Sequence, residues 1–146
     1  MDLKLKGNNA VITGGSKGIG RAIAEALASE GCNVAICARN QAEIDAAVTS
    51  LASKGVKAIG ASVDIMDGDA LKGWVAAAGE ELGGIDCLVS NVSGGNAPGE
   101  QGWRASFEGD ILGAVRCVEA AMPFLEKSSN ASIIMISSTA ALEKFI

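Results

Sequence analysis

Four glycines within seven residues, Gly14, Gly15, Gly18 and Gly20, separate an apolar run from a helix-patterned run near the start of this chain. The stretch reads "VITGGSKGIG" over residues 11–20 and continues as "RAIAEALASEG". An apolar run with no polar alternation is expected of a strand covered on both faces. The glycines let the backbone turn sharply and enter a helix whose first N–H groups have no partners. Those groups and the helix dipole favour an anion. The spacing is G-x-x-x-G-x-G, carried by Gly14, Gly18 and Gly20. A plain strand-to-helix turn is the bland reading. The position of the loop, closing the first strand of a β-α-β unit, favours a phosphate cradle.

The rest of the chain repeats the alternation. Short apolar runs predict strands near 9–13, 33–38, 57–63, 86–90 and 132–137. Helical spacing predicts helices near 18–30, 41–54, 68–82 and 101–127. Asn40 and Glu43 stand in capping-box spacing at one helix start, and Gly31 and Gly55 are placed to end helices. Pro123 breaks or kinks the last helix near its end. This order implies right-handed crossovers and a doubly wound α/β sheet. With 146 residues and 49% hydrophobic content the chain is expected to form one domain with a real core.

Composition excludes several classes. A net charge of −5 argues against general nucleic-acid binding, which needs a basic face. No apolar run reaches the roughly 18 residues of a membrane helix. The start, "MDLKLKGNN", does not resemble a secretion signal, so a cytoplasmic location is expected. Cys32, Cys37, Cys87 and Cys117 are scattered without metal spacing, and there is no His; free buried thiols and no metal site are expected.

The end of the second predicted strand carries the next signal. A fold that binds NAD commonly places Asp or Glu there, about 20 residues past the loop, on the ribose 2′-OH. Here the sequence is "CARN", with Arg39 in that region. A guanidinium suits a 2′-phosphate, and Lys17 in the glycine loop adds a second cation. Both could instead be ordinary solvated charges. Beside an anion site in an acidic chain they favour NADP(H) over NAD(H).

With these residues in view, the chain resembles the short-chain dehydrogenase/reductase family, and within it the 3-oxoacyl-[acyl-carrier-protein] reductase-like members. "TGGSKGIG" at 13–20 resembles the family's T-G-x-x-x-G-x-G loop. "SVDIMD" at 62–67 resembles its adenine-contacting segment, with Asp64 and Ile65 at the matching positions. "LVSNVSGG" at 88–95 resembles the N-N-A-G stretch, with Asn91 at the second Asn. "IIMISS" at 133–138 resembles the fifth strand that ends in the active-site serine, which falls on Ser138. The resemblance implies a Rossmann-type doubly wound parallel sheet. It implies that Gly14, Ser16, Lys17, Gly18, Ile19 and Gly20 hold the cofactor phosphates. Arg39 with Lys17 would take the 2′-phosphate, Asp64 with Ile65 the adenine, Asn91 the ribose–nicotinamide side, and Ser138 the substrate carbonyl.

The chain also departs from the family pattern. Ser90 and Ser93 replace the first Asn and the Gly of N-N-A-G. Asp110 stands where many members carry a proton-relay Asn; a relay role and a plain surface or capping role stay open. The family's acid/base Tyr-x-x-x-Lys has no counterpart, since the chain contains no Tyr, and Lys144 is the one titratable cation near Ser138. The expectation is therefore an NADP-binding Rossmann domain over 1–146, incomplete on its C-terminal side and truncated after the fifth strand. It would be the N-terminal part of a longer NADPH-dependent carbonyl reductase or alcohol dehydrogenase, inactive on its own. The implied substrate is a small carbonyl or alcohol such as a 3-oxoacyl thioester, and the implied full-length state is a homo-oligomer. The alternative is a complete, non-catalytic NADP-binding or regulatory module. Trp74 and Trp103 are expected in core or helix packing, and the 93–102 loop is expected to be flexible, either shaping a substrate pocket or lying plain on the surface.

Overall fold

The computed structural model describes residues 1–139 and residue 142; Lys144 lies outside the described residues. Five parallel strands form one sheet in the order β3-β2-β1-β4-β5. They are β1 (Asn9–Thr13), β2 (Asn33–Ala38), β3 (Ala58–Ser62), β4 (Cys87–Ser90) and β5 (Ser132–Met135). Helices α1 (Gly18–Ser29), α2 (Gln41–Ala52) and α3 (Gly68–Leu82) connect the first four strands. The connection from β4 to β5 contains α4 (Gly99–Ser106), a π-helical segment (Phe107–Leu112) and α5 (Gly113–Leu125). The doubly wound sheet is as expected, and each predicted strand exists to within a few residues.

Side-chain alternation along the strands builds two cores. Ile12, Val34, Ile36 and Val89 face Ala24 and Ala28 of α1 and Ile44, Ala47 and Leu51 of α2. Val11, Ala35, Cys37 and Leu88 face Leu71, Val75 and Ala78 of α3 and Cys117, Ala121 and Leu125 of α5. Fully burying such aliphatic side chains contributes roughly 1.5–3 kcal/mol each. All five β1 residues are buried, the polar Asn9 and Thr13 together with the apolar Ala10, Val11 and Ile12 between them. Trp74 is in the second core, as expected. Trp103 is not: it is 79% exposed.

The expected single helix over 101–127 divides into three pieces. Gly109 and Gly113 bring little helix propensity to its middle. The wider π turn seats Gly109 against the loop after β4, where a methyl group would lie 2.6 Å from Gly94 N. Pro123 is tolerated inside α5, two residues before it ends. Trp103, Phe107, Ile111 and Val115, spaced by four, are all exposed along this connection. β5 forms the sheet edge, and Ile133, Ile134 and Met135 are exposed.

A polar chain spans the opposite ends of the strands. Lys57 N donates to Asn33 Oδ1 (3.0 Å) and Asn33 Nδ2 donates to Asn9 Oδ1 (3.0 Å). Asn9 N and Ser128 Oγ donate to the two oxygens of Asp86, at 2.8 and 2.6 Å. These bonds link the N-terminal ends of β1 to β4 with the turn before β5 and leave the C-terminal ends free for loops.

Candidate functional site

The strand order reverses direction at β1, which lies between β2 and β4. Ligands of open α/β sheets bind at such a switch point, beyond the carboxyl ends of the strands. A cleft of about 860 Å³ opens there. Gly14, Ser16 and Lys17 form its wall on the β1 side. Arg39 and Asn40 after β2, with Glu43 of α2, form a second wall. Asp64 and Ile65 after β3 and Asn91 to Gly95 after β4 complete it.

The glycine loop has the geometry its sequence calls for. Gly14 has φ +68°, a conformation that side chains disfavour. At Gly20 a methyl group would overlap the Gly14 carbonyl oxygen and lie 2.5 Å from Asn91 Nδ2. The first turn of α1 therefore presses directly on the loop. The N-termini of α2 and α3 are capped by the side chains of Asn40 and Asp67. That of α1 has no side-chain cap and no acidic residue in its first turn. Such an end suits an anion.

Asn91 locks the loop to β4. Its backbone N–H donates to Thr13 Oγ1 (3.0 Å), and its Nδ2 donates to the carbonyls of Thr13 (3.2 Å) and Gly14 (3.3 Å). Arg39 is exposed at the rim of the cleft, and its carbonyl accepts from Ser62 Oγ. Asp64 is exposed and accepts from Met66 N–H, holding the turn after β3. The Ile65 side chain is 8% exposed and packs in the core, so this residue presents mainly its backbone to the cleft. Ile19 and Gly18 stand exposed at the start of α1, outside the cleft lining. Cys37 lines the cleft floor, and burial pushes its thiol up to about 12. It is a neutral packing group at neutral pH rather than a nucleophile.

The loop after β4 is anchored, where its composition predicts flexibility. Asp110 Oδ1 accepts from Gly94 N–H (2.8 Å), and Ser106 Oγ donates to the Gly95 carbonyl (2.9 Å). The Asp110 carboxylate thus positions one wall of the cleft. Ser138 lies three residues past the end of β5, exposed, beyond the point where Ile136 N–H donates to the Ser90 carbonyl. It is at the same end of the sheet as the cleft but outside its lining.

The sequence-based reading missed Glu43 as a site residue. Asn40 Oδ1 accepts from Glu43 N–H, as the capping-box spacing predicts. The Glu43 carboxylate, however, turns toward the glycine loop. It accepts from Ser16 Oγ (3.4 Å) and lies 3.9 Å from Lys17 Nζ. Only the adjacency of β1 and β2 brings these segments together, and no local spacing reports it.

The model of the short chain dehydrogenase family matches residues 8–146. This chain belongs to the short-chain dehydrogenase family. Among its relatives, isoepoxydon dehydrogenase of Penicillium expansum is 41% identical over 138 residues, which cover 92% of this chain and 53% of that protein. A short-chain dehydrogenase from Burkholderia cenocepacia J2315, solved in complex with NADP, matches with a TM-score of 0.88 at 30% identity. That match covers 94% of this chain and 58% of the other. A 7α-hydroxysteroid dehydrogenase, complexed with NADH and 7-oxo glycochenodeoxycholic acid, matches with a TM-score of 0.91 at 30% identity. It covers 99% of this chain and 58% of the other. This short-chain dehydrogenase chain thus spans about half the length of the relatives it matches.

Proposed function

We propose that the protein carrying this chain is an NADP(H)-dependent carbonyl reductase or alcohol dehydrogenase, and that residues 1–146 supply its dinucleotide-binding part. The observation that carries this reading is the cleft at the β1 switch point, with Arg39 and Lys17 both on its walls. The residues present fit a dinucleotide. The glycine approach at Gly14 and Gly20 leaves no room for side chains, and the uncapped α1 start offers N–H groups to a pyrophosphate. A nicotinamide dinucleotide bound here would supply or accept the hydride.

This chain's residues divide the binding work. Gly14, Ser16, Gly18, Ile19 and Gly20 would hold the phosphates, and Arg39 with Lys17 the 2′-phosphate. Asp64 and the backbone at Ile65 would meet the adenine. Asn91, already locked to the loop, would border the nicotinamide ribose. Ser138 would donate to a substrate carbonyl oxygen, and Asp110 would set the loop beside it. Delivery of hydride to a carbonyl makes an alkoxide, which needs a tuned proton donor. These residues include no Tyr and no His, so the 146-residue chain by itself should bind cofactor without turnover.

The substrate class we propose is a small ketone or secondary alcohol, with a 3-oxoacyl thioester as the specific case the resemblance implies. The exposed row Trp103, Phe107, Ile111 and Val115 supports a homo-oligomer. Among the described residues no helix is long and apolar enough to cross a membrane; a cytoplasmic location is part of the same proposal.

The test is the dissociation constant of NADPH and of NADH for Arg39→Asp against the parent. Loss of a charge-assisted contact predicts NADPH binding weaker by about tenfold or more, with NADH changed far less. Equal losses for both would refute the 2′-phosphate assignment.

A further inference from the structure

We infer that Glu43 is a specificity-determining residue that opposes the 2′-phosphate and narrows the preference of the site for NADP(H) over NAD(H). The inference rests on the proposed dinucleotide site. Lys17, assigned there to the 2′-phosphate, and Ser16, assigned to the phosphates that both cofactors share, already face one carboxylate. Ser16 is buried and its hydroxyl donates to Glu43 Oε2 across a long 3.4 Å. A hydroxyl has one proton to donate, so a phosphate oxygen and Glu43 compete for it. The Lys17 ammonium, 3.9 Å from the same oxygen, is shared in the same way.

The fold makes this arrangement persistent. Glu43 stands in the first turn of α2, held by the Asn40 cap, while Lys17 is the residue before α1. Ser50 of α2 and Glu25 of α1 are hydrogen-bonded at 2.8 Å, which fixes the two helices side by side. The backbone of Glu43 is therefore fixed in the cleft wall next to Arg39 and Asn40. The cofactors differ by a phosphate that is dianionic or nearly so at neutral pH. A negative charge in the wall that holds Arg39 and Lys17 penalises NADPH, whereas NADH lacks the group that would be repelled.

The experiment compares the dissociation constants of NADPH and NADH for the intact protein carrying this chain, in the parent, Glu43→Gln and Arg39→Ala. Glutamine keeps an acceptor for Ser16 and removes only the charge. The expected result for Glu43→Gln is NADPH binding tighter by about tenfold at low salt and NADH binding changed less than about twofold. The gain should shrink in 0.5 M salt, because the Lys17 and Glu43 side chains are 78% and 39% exposed. An unchanged NADPH-to-NADH ratio, or weaker NADPH binding, overturns the inference. If Arg39→Ala lowers the ratio while Glu43→Gln leaves it alone, only the role of Glu43 fails. If the parent binds neither dinucleotide, or Arg39→Ala does not move the ratio, the cofactor reading fails and this inference with it.

Discussion

The Asn91 side-chain amide donates to the carbonyl oxygens of both Thr13 and Gly14, fastening the end of β4 to the start of the glycine loop. The two segments are 77 to 78 residues apart in sequence. Removing the amide by Asn91→Ala leaves two part-buried carbonyls without that donor. Thermal or denaturant unfolding should show a loss of about 1–3 kcal/mol. Dinucleotide affinity should fall as the loop loosens. A variant of parental stability and affinity would show that backbone pairing alone holds the loop.

Gly20 tests the close approach itself. Gly20→Ala puts a methyl group into the Gly14 carbonyl and within 2.5 Å of Asn91 Nδ2. Backbone must shift, so we expect a destabilisation of at least about 1–3 kcal/mol, seen as a lower unfolding midpoint. Gly18→Ala is the informative comparison. It meets open space, but φ +58° makes it strained, so its cost should be smaller, about 1 kcal/mol.

Asp110 is an acceptor for Gly94 N–H and sits in the π-helical segment. Asp110→Asn keeps an acceptor and should preserve the loop, whereas Asp110→Ala frees it. Amide hydrogen exchange at Gly94 and Gly95 should rise in the alanine variant and stay near parental in the asparagine variant. Equal exchange in all three would remove Asp110 from any positioning role.

Glu25 gives the acid limb of stability a specific source. Its partial burial raises the carboxyl pKa, but hydrogen bonds from Arg21, Ser50 and Lys54 outweigh this and leave it below the ordinary 4.5. A depressed folded value means stability that is present above pH 4.5 and lost as pH falls through the folded value. Urea unfolding of the parent and of Glu25→Gln should therefore converge as the pH falls below 4.5 and through the folded value. A constant gap between them down to pH 2 would assign the cost to packing instead of charge.

The α/β class was legible because it rests on local physics. Short apolar runs such as "AVI" in β1 are expected of strands covered on both faces, and β1 is buried at every residue, whereas the similar run in β5 is exposed at the sheet edge. The glycine loop was legible for the same reason: Gly14 at φ +68° needs a residue without a side chain. The order of Arg39, Asp64 and Asn91 after successive strands also followed, since parallel strands bring their carboxyl ends to one edge. Sequence alone could not divide the last long helix, because the π turn is set by Gly109 meeting Gly94 across space. Nor could it show Trp103 exposed, since helical spacing marks a face but not what covers it.

The direction of the Glu43 carboxylate was decided by tertiary structure in the same way. Its spacing from Asn40 satisfies a local cap. Its partners, Ser16 and Lys17, are neighbours only because β1 and β2 lie side by side and carry α1 and α2 on one face of the sheet. Local backbone preference and hydrophobic patterning act over a few residues and are written into the chain. Charge pairing in the cleft acts across 26 to 27 residues of separation and exists only once the sheet has assembled.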